Sequence, residues 1–390
     1  MSPAYDVVVG GGSVAGLSFA AEAASRGLRV IVLEEDLEVG EPEKCDGLVS
    51  MRAMNEYIPP RFPSIQSRVS RGTVYVPSGA SASVDASKLE VIVVDRSAYE
   101  RQLAGTAESK GASVLTSTKV MATETTGETV RVKAGSLDVE CSYYVDATGP
   151  SAIVRKNRKG LIPAAKYEVS GDWFRDGEVE VHLDRQKYPG FFAWVIPRGE
   201  GIAKVGVAGY GINSYRTLET FLADRKCEIL RKVAAPIYIG GPVPEFVSGR
   251  TVFVGESAGQ VKPTTAGGIL ASVAAGMSAG RWVAEAIQKK DPKLLKNYQR
   301  DWEGKFGDEF RTMKRLRHAF ESLSNDDFEQ IVSVLSSKKV SGRLASTDFD
   351  FHASAMLSAL GVKGTLQLAG LLFSAEARQT LSSLAQGPKA

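Results

Sequence analysis

Short apolar runs, each closed by glycine or by an acidic residue, set the rhythm of the first part of this chain. Tyr5-Asp6-Val7-Val8-Val9 has no polar alternation, the pattern of a strand covered on both faces. Past a run of glycines, residues 17–26 are rich in alanine and predict a helix that Gly27 ends as a C′ glycine. Residues 28–33 predict a second strand, closing on Glu34. Residues 143–145 and 251–254 repeat the strand-then-turn pattern, 95–103 open a helix that leads to a strand at 113–118, and 269–289 predict a long helix of small residues. Residues 72–76, 179–183, 192–196 and 202–207 read as strands of a mostly antiparallel sheet. Residues 292–390 follow helical spacing, as in Phe328-x-x-Ile331-Val332-x-x-Leu335. The chain is therefore expected to be α/β.

The opening βαβ unit carries a dinucleotide turn. Its third position must let the helix approach the strand, which favours Gly16 over Ala15. Gly16 precedes Glu34 by 18 residues (34 − 16), near the usual spacing of roughly twenty. Gly11, Ser13 and Gly16 are thus the working positions. Phosphates would sit at the helix N-terminus, where unpaired N–H groups favour anions. Glu34 would accept from a ribose hydroxyl and would repel a 2′-phosphate, which points to an adenosine without that group. An ordinary strand-turn-helix is the alternative.

Composition narrows the class. With 390 residues the chain is expected to hold two or three domains. A net charge of +3 gives no reason to expect nucleic acid as a partner. No apolar run approaches the roughly 18 residues of a membrane span, and no secretory leader opens the chain, so a cytoplasmic protein is expected. Three cysteines, Cys45, Cys141 and Cys227, make no disulfide framework. No metal site is expected: His182, His318 and His352 stand apart from one another and from the cysteines.

The ordered set GxSxxG, DRxxYExxL, DATG and GESAG-x3-PTTAGGI resembles the flavoprotein superfamily of the p-hydroxybenzoate hydroxylase type. Two further stretches, residues 38–47 around Cys45 and residues 188–197 ending in Trp194-x-x-Pro197, resemble archaeal geranylgeranyl reductases. The resemblance spans residues 5–330. It implies a Rossmann-like FAD-binding domain built from 1–50, 90–155 and 245–300. It also implies a substrate domain of mostly antiparallel sheet from 51–89 and 156–244, with C-terminal helices at 301–390.

It further implies roles. Arg96 would contact the FAD phosphates, with a helix-surface arginine as the alternative. Gly149 belongs to the DATG turn. Glu256 would lie near the ribityl chain, in a position where the superfamily usually has Asp. Gly267 and Gly268 would bring N–H groups to the flavin's pyrimidine end. Cys45 would face flavin and substrate and take part in proton delivery. Lys44 on one side would favour its thiolate and Asp46 on the other would oppose it; an inert thiol is the alternative. Cys141 in a strand and Cys227 in a helix read as packing. Trp194 is the aromatic favoured to line an apolar tunnel, and Phe191 and Phe192 should point to opposite faces of a regular strand.

The function implied is FAD-dependent saturation of double bonds in a prenyl chain, on an archaeal-type ether lipid or a related isoprenoid. NAD(P)H or a ferredoxin-like protein would supply the electrons. Contact at a membrane surface would use apolar helices such as 357–360 and 366–373. A flavin monooxygenase acting on a smaller aromatic, or a non-enzymatic carrier, is the competing reading.

Overall fold

The computed structural model describes residues 4–151, 160–336 and 348–351. The chain divides into two compact units. One comprises Met1–Ile65, Val94–Leu161 and Tyr238–Phe310, and the other Gln66–Val93, Ile162–Ile237 and the stretch beginning at Arg311. The described helices after residue 300 are thus shared between the two.

The first unit is built on a largely parallel sheet. Its strands lie in the order Val247–Ser248, Thr251–Phe253, Leu137–Asp146, Tyr5–Gly10, Val30–Leu33 and Ser113–Leu115. Tyr5–Gly10 is central, pairing in parallel with Val30–Leu33 on one side and with Leu137–Asp146 on the other. Val7, Val8 and Val9 are all fully buried, as a parallel strand covered on both faces requires. The carboxyl end of this strand is the topological switch point, the place where such sheets bind ligands. Helices Val14–Ser25 and Ile269–Gln288 pack together closely. A Cβ at Gly276 would stand 2.3 Å from the carbonyl oxygen of Ala15, so the two backbones meet with no side chain between them. Among the described residues no helix is long and apolar enough to cross a membrane.

The second unit holds a seven-stranded sheet in the order Cys227–Ala234, Ala164–Gly171, Ile202–Ala208, Ala193–Gly199, Glu178–His182, Arg71–Tyr75 and Ser81–Asp85. Every neighbouring pair is antiparallel except Glu178–His182 with Arg71–Tyr75. One face buries Tyr167, Val169, Val195, Val205 and Val207 against Leu218 and Phe221 of the helix Ser214–Leu222.

Two expectations are corrected. Cys227 opens a strand and does not lie in a helix, because it pairs with Gly171 at the edge of the sheet. Phe191 and Phe192 do not point apart: their rings stack at 4.1 Å with 16° between planes. The strand begins only at Ala193, and Phe191 still belongs to a turn in which its N–H donates to the carbonyl of Tyr188. The alternation of a regular strand therefore does not apply to this pair. Residues 357–360 and 366–373 lie outside the described residues.

Candidate active site

Tyr5–Gly10 ends in a turn that only glycine permits at two places. Gly11 has φ +104°, and a Cβ there would lie 2.4 Å from the carbonyl oxygen of Ala147. A Cβ at Gly16 would lie 2.1 Å from the carbonyl oxygen of Gly11, so this glycine lets the helix Val14–Ser25 close onto the turn. Ser13 occupies the N-cap, yet its hydroxyl makes no capping bond, and the first turn has no acidic residue. The leading N–H groups are left for an anion. The Glu34 carboxylate reaches back to this turn, where Oε2 accepts from the Gly12 N–H at 2.5 Å and Oε1 from the Asp36 N–H at 2.9 Å.

The Ser13 hydroxyl is turned toward a buried charge cluster. Asp95 caps the helix Arg96–Ser109, accepting from the Ala98 N–H at 2.8 Å, which places Arg96 in its first turn and Glu100 one turn later. Ser13 Oγ donates to Glu100 Oε1 at 2.5 Å, and the Arg96 guanidinium donates to Ser13 Oγ at 3.2 Å and pairs with Glu100. The side chains of Arg96 and Glu100 are only 11% and 8% exposed. The Arg96 backbone N–H donates to Glu43 Oε1 at 3.0 Å.

The same guanidinium lies close enough to the Cys45 sulfur to interact with it electrostatically. Burial works against the charge on Arg96, but Glu100 and then Cys45 outweigh it, so its proton affinity rises above the ordinary arginine value. Cys45 Sγ also accepts from the Gly47 N–H at 3.4 Å. Lys44, its sequence neighbour, pairs elsewhere, with Asp36 at 3.6 Å. The cation at the thiol is thus a residue from a distant helix.

A second pair of turns completes the first unit's site. Asp146, fully buried, accepts through Oδ1 from the Thr148 N–H and hydroxyl at 3.0 and 2.8 Å, and from the Ser257 hydroxyl at 2.9 Å. Gly149 donates its N–H to Ser257 Oγ at 2.9 Å. Glu256 lies beside this turn: its Oε2 is 3.8 Å from where a Gly149 Cβ would stand, and its Oε1 accepts from the Tyr238 N–H at 3.2 Å. Gly268 is the N-cap of the helix Ile269–Gln288, again with no side-chain cap and no acidic residue in the first turn. Gly267 precedes it, its carbonyl accepting from the Lys262 N–H at 2.8 Å.

Cys45, Gly11, Ser13, Gly16, Glu34 and Arg96 thus gather around one turn, and Gly149 with Glu256 around the next. Trp194 belongs to the other unit, in the strand Ala193–Gly199. Sequence reasoning missed Glu100, Glu43 and Gly12. Glu100 had a signal, four residues after Arg96 on a helix, the spacing of an ion pair. Glu43 and Gly12 had none. Cys141 is fully buried, and burial pushes its thiol up to about 12, which leaves it a packing residue. Among the described residues no group of three His, Cys, Asp or Glu is placed to hold a metal ion.

Two uncapped helix N-termini, a turn closed to any Cβ and a carboxylate at the second strand's tip fit a dinucleotide of the FAD type. The family of FAD dependent oxidoreductases matches residues 6–157. Digeranylgeranylglycerophospholipid reductase 1 of Methanopyrus kandleri is 31% identical over 365 residues, covering 85% of this chain and 94% of that protein. The digeranylgeranylglycerophospholipid reductase of Methanothrix thermoacetophila is 30% identical, with 86% and 92% covered. Among solved structures, a geranylgeranyl bacteriochlorophyll reductase-like protein from Thermoplasma acidophilum superposes with a TM-score of 0.84 at 22% identity, over 95% of this chain and 99% of that one. The p-nitrophenol 4-monooxygenase of Pseudomonas putida shares the fold at a TM-score of 0.64 and 15% identity, over 96% and 98%.

Proposed function

The chain belongs to the digeranylgeranylglycerophospholipid reductase family of FAD-dependent oxidoreductases, and from this premise we propose that it saturates the double bonds of prenyl chains on isoprenoid glycerophospholipids. The observation that carries this reading is family likeness along 85% of the chain, joined to a glycine turn with the buried Arg96 and the partly buried Cys45 at its edge.

Bound and reduced, FAD would supply the hydride that an alkene carbon receives. In this reading the N-termini of Val14–Ser25 and Ile269–Gln288 hold its charged and polar ends through backbone N–H groups, at Ser13 and Gly268 respectively. Glu34 holds a ribose hydroxyl, and Gly149 and Glu256 border the chain between ring and phosphates. Gly267 and Gly268 present N–H donors where negative charge gathers on reduction. Arg96, fixed by Glu100 and Ser13, orients the Cys45 sulfur. Cys45 holds at Sγ the proton that the second alkene carbon requires. An isolated alkene is a poor hydride acceptor, so rate depends on holding it still and dry, a task assigned to Trp194 and its aromatic neighbours.

NAD(P)H or a ferredoxin-like protein would supply the electrons that reduce the flavin. The lipid substrate is reached at a membrane surface by peripheral contact, which co-sedimentation with lipid vesicles tests. The decisive experiment incubates the FAD-loaded protein with dithionite and a geranylgeranyl glycerophospholipid. The expected product gains two hydrogens per bond by mass. No mass gain with any prenyl lipid would overturn the function.

A further inference from the structure

The second unit holds a cavity of about 490 Å³ beside the helix Ser214–Leu222, within the size range of small-molecule sites. Phe221 of that helix and Tyr188 line its apolar part, set edge to face with ring centroids 6.5 Å apart. His182 and Tyr75 line it as well, stacked at 4.8 Å with 12° between planes. His182 is fixed in place: Nε2 lies 2.8 Å from Glu180 Oε2, and the ring meets Phe221 at 5.0 Å. Phe221 and Tyr188 belong to the same buried cluster as Val195. Trp194 precedes Val195 in its strand and projects from the opposite face of the sheet, so the cavity is separate from the surface assigned to the prenyl chain.

The polar groups of the lining are of two kinds. Asp184 and Lys187 are satisfied within the fold: Asp184 Oδ1 accepts from the Gln186 and Lys187 N–H groups at 2.9 and 3.3 Å, and the Lys187 ammonium stands 3.6 Å from Oδ2. Tyr188, Arg225 and Asp224 are not. Tyr188 is only 4% exposed, and its hydroxyl has no hydrogen-bond partner among the described residues. Burial, and then Asp184, push this phenol up to about 12, so it remains a donor at neutral pH. The Arg225 guanidinium lies 3.9 Å over the Phe221 ring and 5.0 Å over Trp173, and donates through Nη1 to the Phe221 carbonyl oxygen. No carboxylate among the described residues forms an ion pair with it. Asp224, exposed in the same lining, carries an unpaired charge of the opposite sign.

A purely apolar ligand would leave the buried Tyr188 hydroxyl without a partner, at a cost in free energy. A simple anion would answer Arg225 and Tyr188 but would sit beside Asp224. A ligand that answers all three carries a carboxylate and an ammonium close together on a flat apolar body. Arg225 and Asp224 are neighbours in the chain, as those two groups are neighbours in an α-amino acid. We propose that this cavity binds an aromatic α-amino acid, its carboxylate held by Arg225 and the Tyr188 hydroxyl, its ammonium by Asp224, and its ring against Phe221 and His182. The site goes beyond the lipid-reductase reading and does not depend on it.

The test is isothermal titration calorimetry of the full-length, FAD-loaded protein with L-phenylalanine, L-tryptophan and hydrocinnamate, which lacks the ammonium. Saturable binding of an amino acid is expected, tighter than that of hydrocinnamate. Tyr188→Phe keeps the ring and removes the donor; Asp224→Asn removes only an exposed charge. Tyr188→Phe and Arg225→Gln are each expected to bind the amino acid about tenfold more weakly, the loss of one hydrogen bond to a charged group. Asp224→Asn should bind it about threefold more weakly and hydrocinnamate no more weakly than the wild type does. Cooperative thermal unfolding verifies each fold, and the other two variants decide if Arg225→Gln does not fold. Failure of both amino acids to bind saturably overturns the site. Equal binding by wild type and Tyr188→Phe overturns it too, because the ligand then lies elsewhere. Hydrocinnamate binding as tightly as L-phenylalanine overturns the amino-acid assignment.

Discussion

Arg96 and Cys45, far apart in the chain, interact at the head of the helix Arg96–Ser109, where the sulfur helps to hold the charge on the guanidinium. The contact ties the loop that bears the cysteine to the same arginine that binds the Ser13 hydroxyl at the glycine turn. A shift in one would be felt by the other.

Removing Arg96 should therefore damage more than one thing. Arg96→Met leaves Glu100 buried without its cation, and breaking such a pair costs about 3–5 kcal/mol. The double variant Arg96→Met/Glu100→Gln should recover at least half of that loss. Urea unfolding of the three proteins measures it; equal stability of the single variant and wild type would show the pair to be idle.

Cys45→Ala should leave FAD content and unfolding midpoint unchanged and slow prenyl reduction by about a hundredfold, the low end for loss of a proton donor. Steady-state rates with dithionite-reduced enzyme decide it. Full activity would make Cys45 a bystander.

The close contact of the helices Val14–Ser25 and Ile269–Gln288 leaves no room at Gly276. Gly276→Ala should cost about 1–3 kcal/mol through overpacking. Gly304→Ala, whose Cβ would meet nothing within 4 Å, should be neutral or slightly stabilising. Thermal unfolding of the two side by side checks the pair.

Cys141 predicts an alkaline effect. Its folded thiol titrates at about 12, against 9.0 for the ordinary group, because burial disfavours the thiolate. As pH rises past 9 the unfolded chain loses this proton first, so stability falls between 9 and about 12. Relative to Cys141→Ala, the wild type should lose stability faster across that window. Iodoacetamide at neutral pH should label Cys141 only after unfolding.

The local signals were legible. The unbroken apolar run 7–9, Gly27 ending the first helix, and the order of glycine motifs along the chain suffice for an FAD-type α/β fold, because periodicity and turn chemistry are properties of neighbouring residues. Gly11 and Gly16 also stood out in the sequence, and in the structure neither leaves room for a Cβ.

What surrounds each of those residues was not. Sequence proximity put Lys44 beside Cys45, whereas the tertiary structure put Arg96 there and sent Lys44 to Asp36. Trp194 read as the aromatic favoured to line an apolar tunnel, and only the cross-strand register set its indole over Gly206, in one row with Lys166. Sequence determined the backbone around the glycine turns, though not at Cys227 or at Phe191 and Phe192; the docking of loops and the pairing of distant strands decided which charges and donors face one another. Those contacts depend on register and burial, which no short stretch of residues specifies by itself.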